Sequence, residues 1–213
     1  MRDAPLVPAR QDGGVRALSV SATVSPLFQG PVRRGIGLGS GHLAFGGFVL
    51  SLTAPGRPRM PNGVEADLVV ERGQPCWLGE GRLEAGGRAV LPGPEWDPVP
   101  AALVRLSVDR RFSPDPQRLA GRGGGLTPSG DDLLCGYAAG LVLWHGRSDE
   151  ATAIAAAAAP RTTLLSGTLL RHAARGELPE PAHALLERGD PDPLRRFGRS
   201  SGRAILLGLA LAC

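Results

Sequence analysis

The stretch GGGLTPSGDDLLCGYAAGLVLWHG, residues 123–146, places three glycines, two hydroxyls and two adjacent carboxylates directly before an apolar run. From Asp131 to Gly146 the apolar residues fall on nearly every side of a 3.6-residue period, which predicts a buried helix rather than a surface one. Gly136 and Gly140 stand four apart and clear one face of that helix for close approach by a neighbour. A second segment has the same plan. SGDDLLCGYAAGL (129–141) and SGRAILLGLALAC (201–213) share Ser129/Ser201, Gly130/Gly202, Leu134/Leu206, Gly136/Gly208 and Ala138/Ala210 at one constant offset. Two similar helix starts predict two helices side by side with both N-termini at one place. The alternative is coincidence in a chain rich in Ala, Leu and Gly.

Around this stretch the sequence divides. From about residue 99 it is rich in alanine and leucine: VPAALVRLSV (99–108) reads as a first helix. Residues 149–177 read as one or two helices interrupted at Pro160, and PAHALLERGD (181–190) as a short amphipathic one. Residues 15–95 read instead as short strands and tight turns: RALSVSATV (16–24), HLAFGGFVLSL (42–52), ADLVVERG (66–73) and GRLEAGGRAVL (81–91). Gly86-Gly87 splits the last as a hairpin turn would, and Pro61-Asn62-Gly63 supplies another turn. The expected fold class is therefore α+β. A β-rich barrel or sandwich of five or six strands over residues 1–97 precedes a helical half, 98–213, with GPEWDPVP (93–100) as the joint.

Composition narrows the function. All 24 basic residues are arginine, so the glycine stretch is not a Walker-type phosphate loop, and Schiff-base chemistry is excluded. A net charge of +4 would suit nucleic acid, but the arginines are interspersed with acids and aromatics make up only 4%, so no nucleic-acid partner is expected. Three widely spaced cysteines and four histidines make neither a CxxC pair nor an HxxxH ligand set. The opening MRDAPLVPARQDGG has no apolar core of the signal-peptide kind, and no apolar run reaches the ~18 residues of a membrane span; a cytoplasmic protein is expected.

The loop before the helix has two readings. In the first it is a folding device: Ser129 and Asp132 form a variant capping box behind Pro128, and both carboxylates lie in the first turn, favoured by the helix dipole. That leaves Thr127, the second aspartate and the glycines without a role. In the second it is a ligand site. A bare anion is repelled, because each carboxylate at about 5 Å costs roughly 3 kcal/mol at an effective dielectric of 20, and the dipole returns at most about 2 kcal/mol. Either a hard cation such as Mg²⁺ bridges Asp131 or Asp132 to the ligand, or the ligand carries N–H groups for the carboxylates and an oxyanion for the backbone donors or Arg122.

GLTPSGDDLLCG (125–136) resembles the signature of the AllH-like family, formerly a domain of unknown function, and PNGV (61–64), TTLLSGTLLRHAARGE (162–177) and RSSGRAILLG (199–208) are weaker supports. The resemblance implies a subunit of an oxamate carbamoyltransferase in bacterial allantoin degradation, working with two other proteins, one similar to acyl-CoA synthetase-type enzymes. It implies exchange of a carbamoyl group between oxalurate or phosphate and oxamate. The family pattern has a histidine before Ser-Ser-Gly and an aspartate near the motif's end, where this chain has Arg199 and Ala204.

The site expected from these readings has Asp131 and Asp132 as catalytic residues, taking the amide end of a small carbamoyl or carboxylate substrate, or a metal. Gly124, Gly125, Thr127, Ser129 and Gly130 hold the oxyanion. Asn62 is first a turn former, with substrate contact as the family-based alternative. Thr163 and Ser166, with Thr162, either bond back to their own helix or line the pocket. Ser200 and Ser201 cap the last helix or touch ligand. Ser129 is not expected to be a nucleophile, having no histidine nearby in sequence, and His172 reads as a surface residue. The alternative function is a non-catalytic sensing or scaffolding subunit of a multi-subunit complex.

Overall fold

The computed structural model describes residues 14–104, 106 and 112–213. Residues 1–13, most of the opening segment read above for a leader, and the Arg110-Arg111 doublet lie outside the described residues. The chain divides into two compact units, Met1–Asp97 and Pro98–Cys213, each with its own apolar core.

The first unit is one ten-stranded sheet. In chain order its strands are β1 (Val15–Arg16), β2 (Ser19–Ser21), β3 (Arg33–Gly39), β4 (His42–Phe45) and β5 (Phe48–Thr53), then β6 (Gly63–Glu65), β7 (Pro75–Gly79), β8 (Arg82–Ala85), β9 (Arg88–Leu91) and β10 (Glu95–Trp96). A short helix, α1 (Ser25–Gln29), follows β2. The order across the sheet is β1-β9-β8-β7-β3-β4-β5-β6-β2-β10. β1 and β2 lie near opposite ends of that order, yet only Ala17 and Leu18 separate them. The sheet must therefore curl, and it forms a half-barrel around Phe28, Leu43, Leu50, Leu78 and Leu83.

Two triplets build most of this sheet. LGSGHLAFGG (38–47) and LGEGRLEAGG (78–87) align without a gap, and each runs strand, tight turn, strand, Gly-Gly turn, strand. Ser40 and Glu80, at equivalent turns, both adopt the left-handed conformation (φ 52° and 49°), an uncommon one for non-glycine residues. The triplets join through their first strands, with Arg34 opposite Trp77.

Two expectations need correction, and two strands escaped the sequence reading. The sheet has ten strands among the described residues, not five or six. ADLVVERG is not a strand: Leu68 N–H turns back to the Ala66 carbonyl, only the ends of the segment bond to the sheet (Ala66 N–H to Thr53, Gly73 N–H to Gly37), and Val69 is 83% exposed. β3 and β7 were not legible. β3 is hidden by its glycines, which close contact requires: a Cβ on Gly35 would lie 2.5 Å from the Ala44 carbonyl oxygen, and one on Gly37 2.2 Å from that of Glu71.

The second unit contains α2 (Pro116–Leu119), α3 (Ser129–His145), α4 (Ser148–Ala158), α5 (Leu164–Ala173), α6 (Glu180–Arg188), α7 (Asp192–Arg195) and α8 (Ser201–Ala212). The expected break at Pro160 is a 3₁₀ turn, Ala159–Arg161, between α4 and α5. The helix expected over 99–108 is absent in its described part: residues 99–104 are irregular, and Val104 instead donates to the Leu186 carbonyl and accepts from the Trp144 indole. The rest of that stretch, apart from Leu106, lies outside the described residues.

α3 packs most extensively on α8, and the paired glycines are the reason. A Cβ on Gly136 would lie 2.1 Å from the Ile205 carbonyl oxygen, and one on Gly208 2.1 Å from that of Leu133. The two backbones are thus in direct contact, and both helices start at the same end. No helix among the described residues is long and apolar enough to cross a membrane.

Candidate functional site

Pro128, not Ser129, occupies the cap position of α3, and its carbonyl accepts from the N–H groups of Asp131 (2.9 Å) and Asp132 (3.1 Å). The capping box expected from Ser129 is therefore not formed. Ser129 is already the first helical residue, so its hydroxyl is free to point elsewhere. Ser200 caps α8 by position but makes no side-chain cap bond either. Instead the hydroxyls pair across the two helix starts: Thr127 Oγ1 lies 3.1 Å from Ser201 Oγ, and Ser129 Oγ 3.3 Å from Ser200 Oγ.

The two aspartates are both buried, at 1% and 3% exposure, but they are not equivalent. Asp131 is fully engaged by the scaffold. Its Oδ1 accepts from the Gly121 N–H at 2.8 Å, and its Oδ2 accepts a short bond from the Thr162 hydroxyl. It ties the loop before α3 and the turn before α5 to the helix start. Asp132 makes no such pair of bonds to the scaffold: its Oδ2 is buried without a hydrogen-bond partner among the described residues. Burial pushes its carboxyl up to about 6, against the pull of the Ser201 and Thr127 hydroxyls, and the charge of Asp131 adds to the rise.

In front of Thr127 and Ser201 lies an open cleft of about 460 Å³, within the ~300–1,000 Å³ of small-molecule sites. One wall is Gly124, Gly125, Leu126, Thr127 and Ser129; the other is Arg199, Ser200 and Ser201. Gly124 has neither a positive φ nor any atom within 4 Å of where its Cβ would be, so the chain's own packing does not require glycine there. What the missing side chain leaves open is the cleft. Arg199 is exposed, and no ion pair engages it among the described residues. Its position was noted in the sequence only as a departure from a family pattern; the side chain that lines the cleft is that of Arg199, not of Arg122.

The other expected residues fall elsewhere. Thr163 caps α5, accepting from Ser166 N–H, and donates to the Leu126 carbonyl, so it braces the cleft loop from behind. Ser166 is buried on α5, its hydroxyl unpartnered, and does not line the cleft. Gly130 is filled by close packing: a Cβ would lie 2.1 Å from the Leu119 carbonyl oxygen. Asn62 belongs to the sheet unit, where it is buried in its turn, donating to the Val49 carbonyl and accepting from the Ser51 hydroxyl.

His172 is not a surface residue as expected. It is buried at the end of α5 with its Nδ1 2.5 Å from Glu177 Oε2. Burial lowers its affinity for a proton, outweighing the pull of Glu177. Burial would raise the Glu177 carboxyl, but bonds from His172 and Arg175 bring it down to about 2.

Asp131 has both oxygens occupied by N–H and O–H donors, and among the described residues no three His, Cys, Asp or Glu side chains stand together to hold a metal.

Fold and site together define an α+β chain whose helical unit presents a hydroxyl-lined cleft at two joined helix starts, with a guanidinium at its edge and a buried carboxylate behind it. Residues 119–213 match the family model described as oxamate carbamoyltransferase subunit AllH, which supports an AllH-like assignment. No curated protein and no solved structure matches the chain significantly.

Proposed function

We propose that the chain is a subunit of a carbamoyl-transferring enzyme and that the cleft holds a small molecule joining an amide or carbamoyl group to a carboxylate, as oxamate does. One observation carries this: the cleft has an unpaired cation at its edge, Arg199, and a buried carboxylate with a free oxygen, Asp132, behind its wall. A ligand with one anionic end and one N–H end complements both. Arg199 and the backbone N–H groups of Gly124 and Gly125 take the carboxylate. Ser129 and Ser200 add hydroxyl donors to the same end, and the amide end meets Thr127 and Ser201. Asp131 positions the loop and does not touch ligand. The other subunits of such a transferase would be its partners, in a cytoplasmic hetero-oligomer of allantoin and purine catabolism.

Calorimetric titration of the purified chain with oxamate tests this. Binding is expected, weakened at least about tenfold in Arg199→Ala through loss of a charge-assisted bond. No heat with the intact chain would contradict it. A second reading, a ligand-sensing subunit that does no chemistry, is favoured by the cover over Asp132 and by the lack of any His or Cys along the cleft. The assembled complex separates the two. Asp132→Asn abolishes transfer while preserving assembly if this chain is catalytic, and leaves transfer running if it only senses.

A further inference from the structure

We propose that the end of the helical unit where α3, α5 and α8 begin is a docking surface for an acidic segment of a partner protein, seated over Leu126 and Leu164 with its carboxylates on the surrounding arginines. The proposal rests on the reading of this chain as a subunit, and adds where a partner attaches and what chemistry it presents.

The exposed arginines of this unit fall into two groups. Arg147 pairs with Glu150, Arg175 with Glu177, Arg188 with Glu187, and Arg195 and Arg196 with Asp192, while Arg171 bonds to the Thr168 hydroxyl. Arg118, Arg122, Arg161, Arg199 and Arg203 are exposed and enter no ion pair among the described residues. These five gather at one end. Arg118 precedes Leu119, whose carbonyl oxygen is the atom a Cβ on Gly130 would strike, and the Arg122 carbonyl accepts from the Gly130 N–H. The Arg161 carbonyl abuts Gly121 in the same way, and Arg199 lines the cleft. Arg203 lies in the first turn of α8, where no acid offsets it and the helix dipole disfavours a cation. Asp131 and Asp132 are buried here and Asp115 caps the Gln117 N–H, so cations dominate the exposed face.

A small anion in the cleft is met by Arg199; the other four guanidinium groups, spread from α2 to α8, call for an extended partner. Leu126 (54% exposed) and Leu164 (41%) stand among them, on either side of the bond from the Thr163 hydroxyl to the Leu126 carbonyl. Apolar residues bordered by arginine have the composition of a protein interface, and the guanidinium fork matches a carboxylate in two bonds. Nucleic acid is disfavoured, because no aromatic side chain lines the cleft for a base to stack on. An acidic segment seated there closes the cleft mouth. It also brings carboxylates to walls that have no His, Cys, Asp or Glu among the described residues.

The test uses the native assembly, recovered through a tag on this chain. Leu164→p-benzoylphenylalanine puts a photo-cross-linker on the surface, and mass spectrometry identifies the peptide it captures in the intact assembly. The expected product is a segment rich in Asp and Glu from a different protein present in fixed ratio to this chain. The double variant Arg122→Glu, Arg161→Glu should weaken the assembly at least about tenfold. Arg147→Glu with Arg188→Glu changes the charge equally at paired positions and should stay within about twofold of the parent. Unfolding transitions like the parent's show that both double variants are folded. An intact assembly whose cross-link is missing, or falls on a segment without clustered acids, on a second copy of this chain or on nucleic acid, overturns this proposal alone. Equal weakening by the two double variants, or none by either, overturns it too. Recovery of this chain by itself contradicts the subunit reading on which the proposal rests.

Discussion

Ser129-Gly130-Asp131-Asp132 opens α3, and Ser201-Gly202-Arg203-Ala204 opens α8. The shared positions serve packing. A Cβ on Gly130 would lie 2.1 Å from the Leu119 carbonyl oxygen and one on Gly202 1.6 Å from that of Leu194, so each helix start is pressed onto the segment before it. Further along, Gly136 and Gly208 bring the two backbones together. The differing positions carry the chemistry. α3 buries two carboxylates where α8 has an exposed arginine and a half-buried alanine. One frame, used twice, makes the cleft from its two ends, and only one copy supplies a group that can change its protonation near neutral pH.

The largest effect should come from breaking the shared frame. Gly208→Leu places side-chain atoms where the Leu133 carbonyl already stands, and the α3–α8 seam cannot close. A loss above ~4 kcal/mol is expected, read as disappearance of the helical unit's cooperative unfolding transition in circular dichroism. A parent-like transition would mean that the contact between the two helices is not what holds them.

Next comes the anchor. Asp131→Ala removes two bonds to a carboxylate and leaves the Gly121 N–H without its acceptor, so about 2–4 kcal/mol should be lost in denaturant unfolding. The change should show even where no ligand is present, because Asp131 holds the scaffold. An effect below about 0.5 kcal/mol would return Asp131 to the candidate ligand contacts.

The sequence made this frame legible because glycine and serine recur at fixed offsets, and backbone contact between helices leaves such a trace. The α+β division was legible from composition and turn residues. β3 and β7 were not, since glycines demanded by tight contacts and a proline at Pro75 resemble loop chemistry. The doubling of LGSGHLAFGG and LGEGRLEAGG was visible in principle but is carried by turn residues, which a search for apolar periodicity passes over. At the site, sequence singled out Asp131 and Asp132 together; which of them is satisfied depends on Gly121 and Thr162, residues that only folding brings near. The capping role assigned to Ser129 failed because the proline before it took the cap position.

The central claim is that Asp132 is held in a state that favours its proton, as a tuned group and not a folding device. Its carboxyl is raised from 3.8 to about 6, so folding disfavours the ionised form. The resulting penalty is absent below about pH 4, grows between about pH 4 and 6, and is fully present above, reaching roughly 3 kcal/mol. His172, lowered by burial, loses stabilisation as pH falls below 6.5, but it is common to parent and variant and cancels in their difference. The direct measurement is therefore the unfolding free energy of Asp132→Asn minus that of the parent, taken at about pH 4 and about pH 8. The difference should shift in favour of the asparagine variant by up to roughly 3 kcal/mol on going to the higher pH. A difference that stays constant, or one that shifts in favour of the parent, would contradict the account.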